Sequence, residues 1–250
     1  MGGLILVMRC ASARINQGRV EQMAAGKVVF LFDVDNTLLN NDRVTADLKH
    51  YLEDEVGHVR GEHYWTFFEE IRAGLGYADY LGALQRYRAE YPRDFHILTV
   101  SRYLLHYPFA NRLYPNSIDA VDHCRGFGEA VILSDGDVVF QPLKIERSGL
   151  REAFDDKILI YIHKELELDD IVQRYPADHY VVIDDKVRIL AAMKKAWGAR
   201  VTTVFPRQGH YANDAQEVAR YPVPDVTIER VGGLLEYDLA ALLNAAAALK

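Results

Sequence analysis

Apolar residues along this chain follow two different rhythms. Five short segments are apolar almost without interruption: Lys27 to Phe32, Ala130 to Leu133, Ile158 to Ile162, Tyr180 to Ile183 and Arg200 to Val204. Runs this short, rich in β-branched and aromatic residues, predict strands covered on both faces. Helix-like stretches separate the later ones: Leu143 to Phe154 after Pro142, Leu168 to Tyr175, and Val187 to Trp197 with Gly198 as its stop. Strands alternating with helices predict an α/β fold with a parallel sheet.

From about 40 to 125 the rhythm changes. Tyr64, Phe67, Phe68 and Ile71 share one helical face, and Tyr80, Leu84, Tyr87 and Tyr91 share another. No strand-like run stands out, so this stretch reads as an all-helical insertion between the first two strands. Gly74 and Gly76, Pro92, and Asn116 with Ser117 mark its helix ends. The expected organisation is an α/β core over 26–39 and 126–250, a helical cap over 40–125, and a loose leader over 1–25. Met23 is an alternative start.

At 250 residues, half of them hydrophobic, the chain can bury one sizeable core and carry a modest insertion. Its net charge of -7 provides no positive field for a nucleic acid polymer or an anionic membrane. The run Leu4 to Met8 is too short to span a bilayer, and Arg9 and Arg14 follow it, where a signal peptide would have its charges first. Two cysteines, Cys10 and Cys124, make no disulfide framework, so a reducing cytoplasm is expected.

Polar residues gather where the strands end, which is where parallel sheets bind ligands. The first strand stops at Asp33-Val34-Asp35-Asn36-Thr37, the second at Ser134-Asp135-Gly136, and the fourth at Asp184-Asp185, while Lys164 follows the third. Lys144 is the competing cation, but its place in the helix after Pro142 predicts a surface lysine. A turn after the first strand is needed to bring both Asp33 and Asp35 to one ligand. Several carboxylates gathered at one site would repel by roughly 4 kcal/mol per pair at 4 Å and an effective dielectric of 20, so a cation is required.

In these four ordered motifs, Asp33/Asp35, Ser134, Lys164 and Asp184/Asp185, the chain resembles the haloacid dehalogenase-like hydrolases over about residues 27 to 230. The resemblance implies a Rossmann-like parallel sheet sandwiched by helices, with an inserted helical cap of the first type. It implies Asp33 as nucleophile, forming an aspartyl-phosphate, Asp35 as general acid and then base, and Lys164 as the neutralising cation. Mg²⁺ is the implied cofactor, held by Asp33, the Asp35 carbonyl and Asp185, with Asp184 the second choice. Ser134, Asp135, Gly136 and Thr37 would line the phosphate. The implied activity is hydrolysis of a small phosphorylated metabolite. A phosphomutase, a nucleotide 5′-monophosphatase and a catalytically idle binding relative are the alternatives on the same core.

Departures from the pattern carry information too. Asn36 stands where glycine is commoner, a variant associated with nucleotidase-like and acylneuraminate-phosphate phosphatase-like members. Asp135 replaces the usual asparagine. Arg188, Ile189 and Leu190 follow the last motif, so it resembles the shorter two-aspartate form. Retention of Asp35 disfavours dehalogenation, which needs no second acid. Nine of the 15 tyrosines and Trp65 lie in the insertion, where helical spacing predicts that most pack its own core. His63, His96, His106 and His123 are too scattered for a metal site.

Overall fold

A computed structural model describes residues 26–247. The expected leader, with Leu4 to Met8 and Cys10, lies outside the described residues.

Six strands form one parallel sheet: β1 (Val28–Phe32), β2 (Glu129–Asp135), β3 (Ile158–Tyr161), β4 (His179–Ile183), β5 (Val201–Pro206) and β6 (Val226–Ile228), in the order β3-β2-β1-β4-β5-β6. The five expected strands are all present. β6 is an addition, three residues long and too short to stand out as a run. Val28, Phe30 and Phe32 enter the hydrophobic cluster on one face of the sheet, and Val29 and Leu31 enter the cluster on the other. This is the period-two alternation of a strand buried on both sides.

β1 pairs with β2 on one side and β4 on the other. The chain builds outward from β1 through β2 to β3, then returns across β1 to add β4, β5 and β6. The tips of β1 and β4 therefore flank the point where winding reverses, which is the ligand crevice of open α/β sheets.

Helices α1 (Asn41–Val56), α2 (His58–Leu75), α3 (Tyr80–Glu90), α4 (His96–Leu105) and α5 (Ser117–Arg125) fill the stretch between β1 and β2. α1 packs on α2 and α4, and α3 on the same two. Tyr64, Tyr80 and Tyr87 are fully buried at their centre. α5 instead packs on β2 and on the 3₁₀ turn Val231–Leu235. The chain leaves and re-enters the sheet layer through two apposed segments, where Asn40 N-H donates to Arg112 O at 2.7 Å and Tyr114 N-H to Leu38 O at 2.9 Å.

After β2 the structure corrects the expected single helix at Leu143 to Phe154. There are two, α6 (Phe140–Arg147) and α7 (Leu150–Ala153). Pro142 lies inside the first turn of α6, where a missing N-H costs nothing. Gly149, at φ 81°, breaks the helix because only glycine takes that conformation freely. α8 (Leu168–Arg174) and α9 (Val187–Trp197) follow as expected, and α10 (Gly209–Asn213), α11 (Ala215–Val218) and α12 (Leu239–Ala247) are the last helices of the described residues. No helix among the described residues is long and apolar enough to cross a membrane.

Candidate active site

Hydrogen bonding between adjacent strand tips brings the first acids together. Asp33 N-H donates to Ile183 O at 2.9 Å, and Asp184 N-H to Val204 O at 3.2 Å, so the chain after β1 stays beside β4, and the chain after β4 beside β5. Asp33, Asp184 and Asp185 are all buried, with carboxylate oxygens within 4.8 Å of one another. Among the described residues this is the one acidic, histidine or cysteine cluster so arranged. The scattered histidines pair elsewhere: His63 with Glu90, His96 with Glu55, and His106 with the Arg102 carbonyl.

Lys164 reaches this cluster from the turn after β3. Its Nζ lies 2.5 Å from Asp33 Oδ1 and 2.7 Å from Asp184 Oδ2, and it donates to the Leu133 carbonyl at 3.1 Å. Burial opposes an ammonium there, but Asp184, Asp33 and Asp135 outweigh it and hold its pKa above the ordinary lysine value. The carboxyls respond in the opposite sense. Burial pushes Asp184 up to about 6 and Asp185 well above its ordinary range, with Asp33 adding repulsion.

Lys186 was not anticipated as part of the site. Its N-H donates to Asp184 Oδ1 at 2.8 Å, its Nζ lies 5.3 Å from the Tyr211 ring centre, and it lines the cavity above the acids. Asp33 and Asp185 overcome burial to raise its pKa. Its position directly after the aspartate pair was the available signal. Asp33, Asp135, Asp184 and Asp185 against Lys164 and Lys186 leave a formal charge of about -2 in a desolvated floor. Asp33 Oδ2 and both oxygens of Asp185 have no hydrogen-bond partner. Hard oxygen donors with that residual charge fit one divalent cation such as Mg²⁺. Asp185 is the freer ligand, because both Asp184 oxygens already face Lys164 and Lys186.

Asp35 stands apart from this floor. Val34 to Leu39 fold into a turn in which Asn36 N-H donates to Leu39 O at 2.6 Å and Leu38 N-H to Val34 O at 2.9 Å. Asn36 sits at φ 61°, which explains why glycine is usual there and why asparagine, the side chain that best tolerates this region, can replace it. The turn carries Asp35 to the cavity wall. There Lys144 Nζ binds both carboxylate oxygens, at 2.7 and 2.9 Å, and also donates to Asn41 Oδ1 at 3.0 Å. Lys144 is therefore not the surface residue that its helix suggested: it is 1% exposed, because α6 turns that face toward the turn after β1.

The residues expected on phosphate fall in two groups. Asp135 and Gly136 line the cavity. Burial pushes the Asp135 carboxyl upward, and it accepts from Lys164 N-H at 2.8 Å. Ser134 and Thr37 are buried and engaged inside the protein. Gln141 Nε2 donates to Ser134 Oγ at 2.9 Å, and Asp185 N-H donates to Thr37 Oγ1 at 3.0 Å. Thr37 thus braces the aspartate-pair loop, a geometry that serves positioning more directly than substrate contact.

A cavity of about 830 Å³, a volume suited to a small molecule, is lined by Asp35, Asp135 and Lys186, with Asp33, Lys164, Asp184 and Asp185 outside its lining. Asp35, Asp135, Lys144 and Lys186 belong to its sheet side, and Trp65, Phe68, Tyr77 and Tyr80 to its helical side. Phe140 joins the two, with its ring 5.2 Å from Tyr80 and 5.7 Å from Phe109.

Comparison with known proteins identifies the fold and the family. A haloacid dehalogenase-like hydrolase from Burkholderia xenovorans LB400 has a crystal structure 59% identical in sequence, with a TM-score of 0.82, covering 86% of this chain and 98% of its own. A haloacid dehalogenase-like family hydrolase from Xanthomonas campestris shares the fold at 19% identity and a TM-score of 0.62, covering 92% and 97%. So does L-2-haloacid dehalogenase from Xanthobacter autotrophicus, at 15% identity, a TM-score of 0.53, and 86% and 98% coverage. No curated protein matches significantly. The family model described as haloacid dehalogenase-like hydrolase matches residues 28–196, and the chain belongs to that family of hydrolases.

Proposed function

We propose that this hydrolase is a Mg²⁺-dependent phosphatase of small phosphorylated metabolites. The observation that carries the reading is the second acid: Asp35 sits at the cavity wall, two residues from Asp33, its side chain 24% exposed and clamped by a buried lysine. Displacement of a halide needs no proton donor, whereas the oxygen leaving a phosphate ester does.

In this reading Asp33 attacks phosphorus and the ester oxygen departs with a proton from Asp35. Asp35 then takes a proton from the water that cleaves the aspartyl-phosphate, and Asp33 is regenerated. Lys164 holds the Asp33 carboxylate in place, and Lys186 offers positive charge to the phosphoryl oxygens from the cavity side. Asp33, Asp185 and the Asp35 carbonyl would hold Mg²⁺, which supplies Lewis-acid neutralisation of the phosphoryl charge when bound. The helical side of the cavity, with its aromatic wall, suits an organic leaving group and keeps bulk water from the intermediate.

The test is phosphate release from a panel that includes p-nitrophenyl phosphate, with Mg²⁺ and with chelator. Turnover that needs the metal and disappears in Asp33→Asn supports the proposal. A folded wild type that releases no phosphate from any ester refutes it.

A further inference from the structure

The turn bearing Asp35 is held from outside by residues far away in sequence. Asn36 and Asp42 bond reciprocally: Asn36 Nδ2 donates to Asp42 Oδ1 at 2.9 Å, and Asp42 N-H donates to Asn36 Oδ1 at 3.1 Å. The same carboxylate continues to the segment after β5, accepting His210 N-H on Oδ2 at 2.8 Å and facing His210 Nδ1 from Oδ1 at 2.5 Å. Gln208 completes the hold. Its buried Nε2 donates to Asn36 O at 3.3 Å and Thr37 O at 2.9 Å, and its Oε1 accepts Val231 N-H at 2.5 Å.

The fit is close. Gly209 has φ 71°, and a Cβ placed on it would lie 2.5 Å from Asn36 Cβ. Asn36 is 3% exposed, so its left-handed backbone is fixed by this packing and not by solvent contacts. Asn41, adjacent to Asp42 in the first turn of α1, accepts from the Lys144 that grips Asp35. Two consecutive residues at the start of α1 thus reach Asp35 from both sides, one through Lys144 and one through Asn36. His210 lies beyond the residues matched to the family model.

We propose that Asp42 is a positioning residue: by tying Asn36 to His210 it fixes the turn that presents the Asp35 carboxylate to the leaving oxygen. The catalytic part of this inference rests on the phosphatase reading. The structural part does not.

Two measurements on Asp42→Ala separate them, with melting used to verify that the variant is folded. Backbone hydrogen exchange reads the turn directly, and the amides of residues 36–39 should exchange at least about tenfold faster than in the wild type. Turnover reads the acid. Asp35 also serves the water step, which is common to both esters, so the comparison uses kcat/KM, which reads only the steps through departure of the leaving group. p-Nitrophenolate leaves without a proton, so kcat/KM on p-nitrophenyl phosphate should fall no more than about threefold. An alkyl phosphate needs the proton, so its kcat/KM should fall by roughly ten- to a hundredfold. Asp42→Asn, which keeps one acceptor oxygen, should recover part of the alkyl phosphate rate. Unchanged exchange at 36–39, or equal losses of kcat/KM on the two esters, overturns the assignment. A wild type without esterase activity sinks the phosphatase reading alone, and the exchange result then decides whether Asp42 holds the turn.

Discussion

Lys164 and Lys144 are each 1% exposed, and each ends on an aspartate just after β1, yet the surroundings of the two pairs differ. Lys164 belongs to the floor at the tips of β1 and β4, where Asp33 is 3% exposed and Asp184 shares the ammonium. Lys144 belongs to the wall between α1 and α6, where Asp35 keeps a quarter of its side chain open to the cavity. Charges in the floor interact through little solvent, whereas water in the cavity screens the wall pair. The difference suits a nucleophile that must not move and an acid that must exchange protons. Lys164→Met tests it most severely. It leaves two buried carboxylates without their cation, at an expected cost of about 3–5 kcal/mol in urea unfolding, and added Mg²⁺ should restore part of that loss.

Titration separates the floor from the rest of the molecule. A carboxyl whose pKa is raised on folding takes up a proton, so its contribution to stability is complete below about pH 4 and is lost as pH rises through its folded value. For Asp184, raised by burial and by Asp33 to about 6, the loss falls between about pH 4 and 6 and amounts to at most about 3 kcal/mol. Carboxyls such as Asp47 and Asp225 behave oppositely. Hydrogen bonds outweigh the effect of burial and hold them low, so their contribution is present above the ordinary carboxylate range and is lost only in acid. Without metal, the melting temperature should therefore fall between pH 5 and pH 7. Mg²⁺ should raise it more at pH 7, where fewer protons have to be displaced. An equal rise at both pH values would mean that the floor acids do not bind the ion.

The wall should respond less. Lys144→Met leaves Asp35 able to find water in the cavity, so about 1–2 kcal/mol is expected from urea unfolding. A cost equal to that of Lys164→Met would erase the distinction between the two regions.

The two regions also differed in how legible they were. Asp33, Asp184 and Asp185 follow apolar runs directly, so the rule that ligands gather at strand tips placed them from sequence, and β1-β4 pairing brings them together. Lys164 was placed by the same rule. Lys144 was misplaced because helical periodicity ranks a lysine by its own helix and carries no information about an aspartate 109 residues earlier. Asp42, Gln208 and His210 were missed for the same reason: the contacts that give them a role span about 170 residues. The aromatic insertion was legible as packing, since Tyr64, Tyr80 and Tyr87 are indeed core. Which aromatic residues face the cavity depends on how the helices meet α6, through Tyr80 and Phe140.

Tyr80 provides the mildest test of the helical side. Its ring is buried against Phe68 and Phe140, while its hydroxyl lies 3.0 Å from Thr45 Oγ1 and accepts from Asn41 Nδ2 at 3.4 Å. Tyr80→Phe preserves the ring packing and removes only this link between α3 and α1. Asn41 and Thr45 are both half-buried and line the cavity, where the Asn41 amide and the Thr45 hydroxyl can bond water in place of the phenol, so neither partner is stranded. The expected loss is about 0.5–1.5 kcal/mol in thermal unfolding, with turnover nearly unchanged. A loss approaching that of Lys164→Met would mean that the helical side is held by polar contacts as tightly as the floor, and that aromatic packing is not what seats the helices on α6.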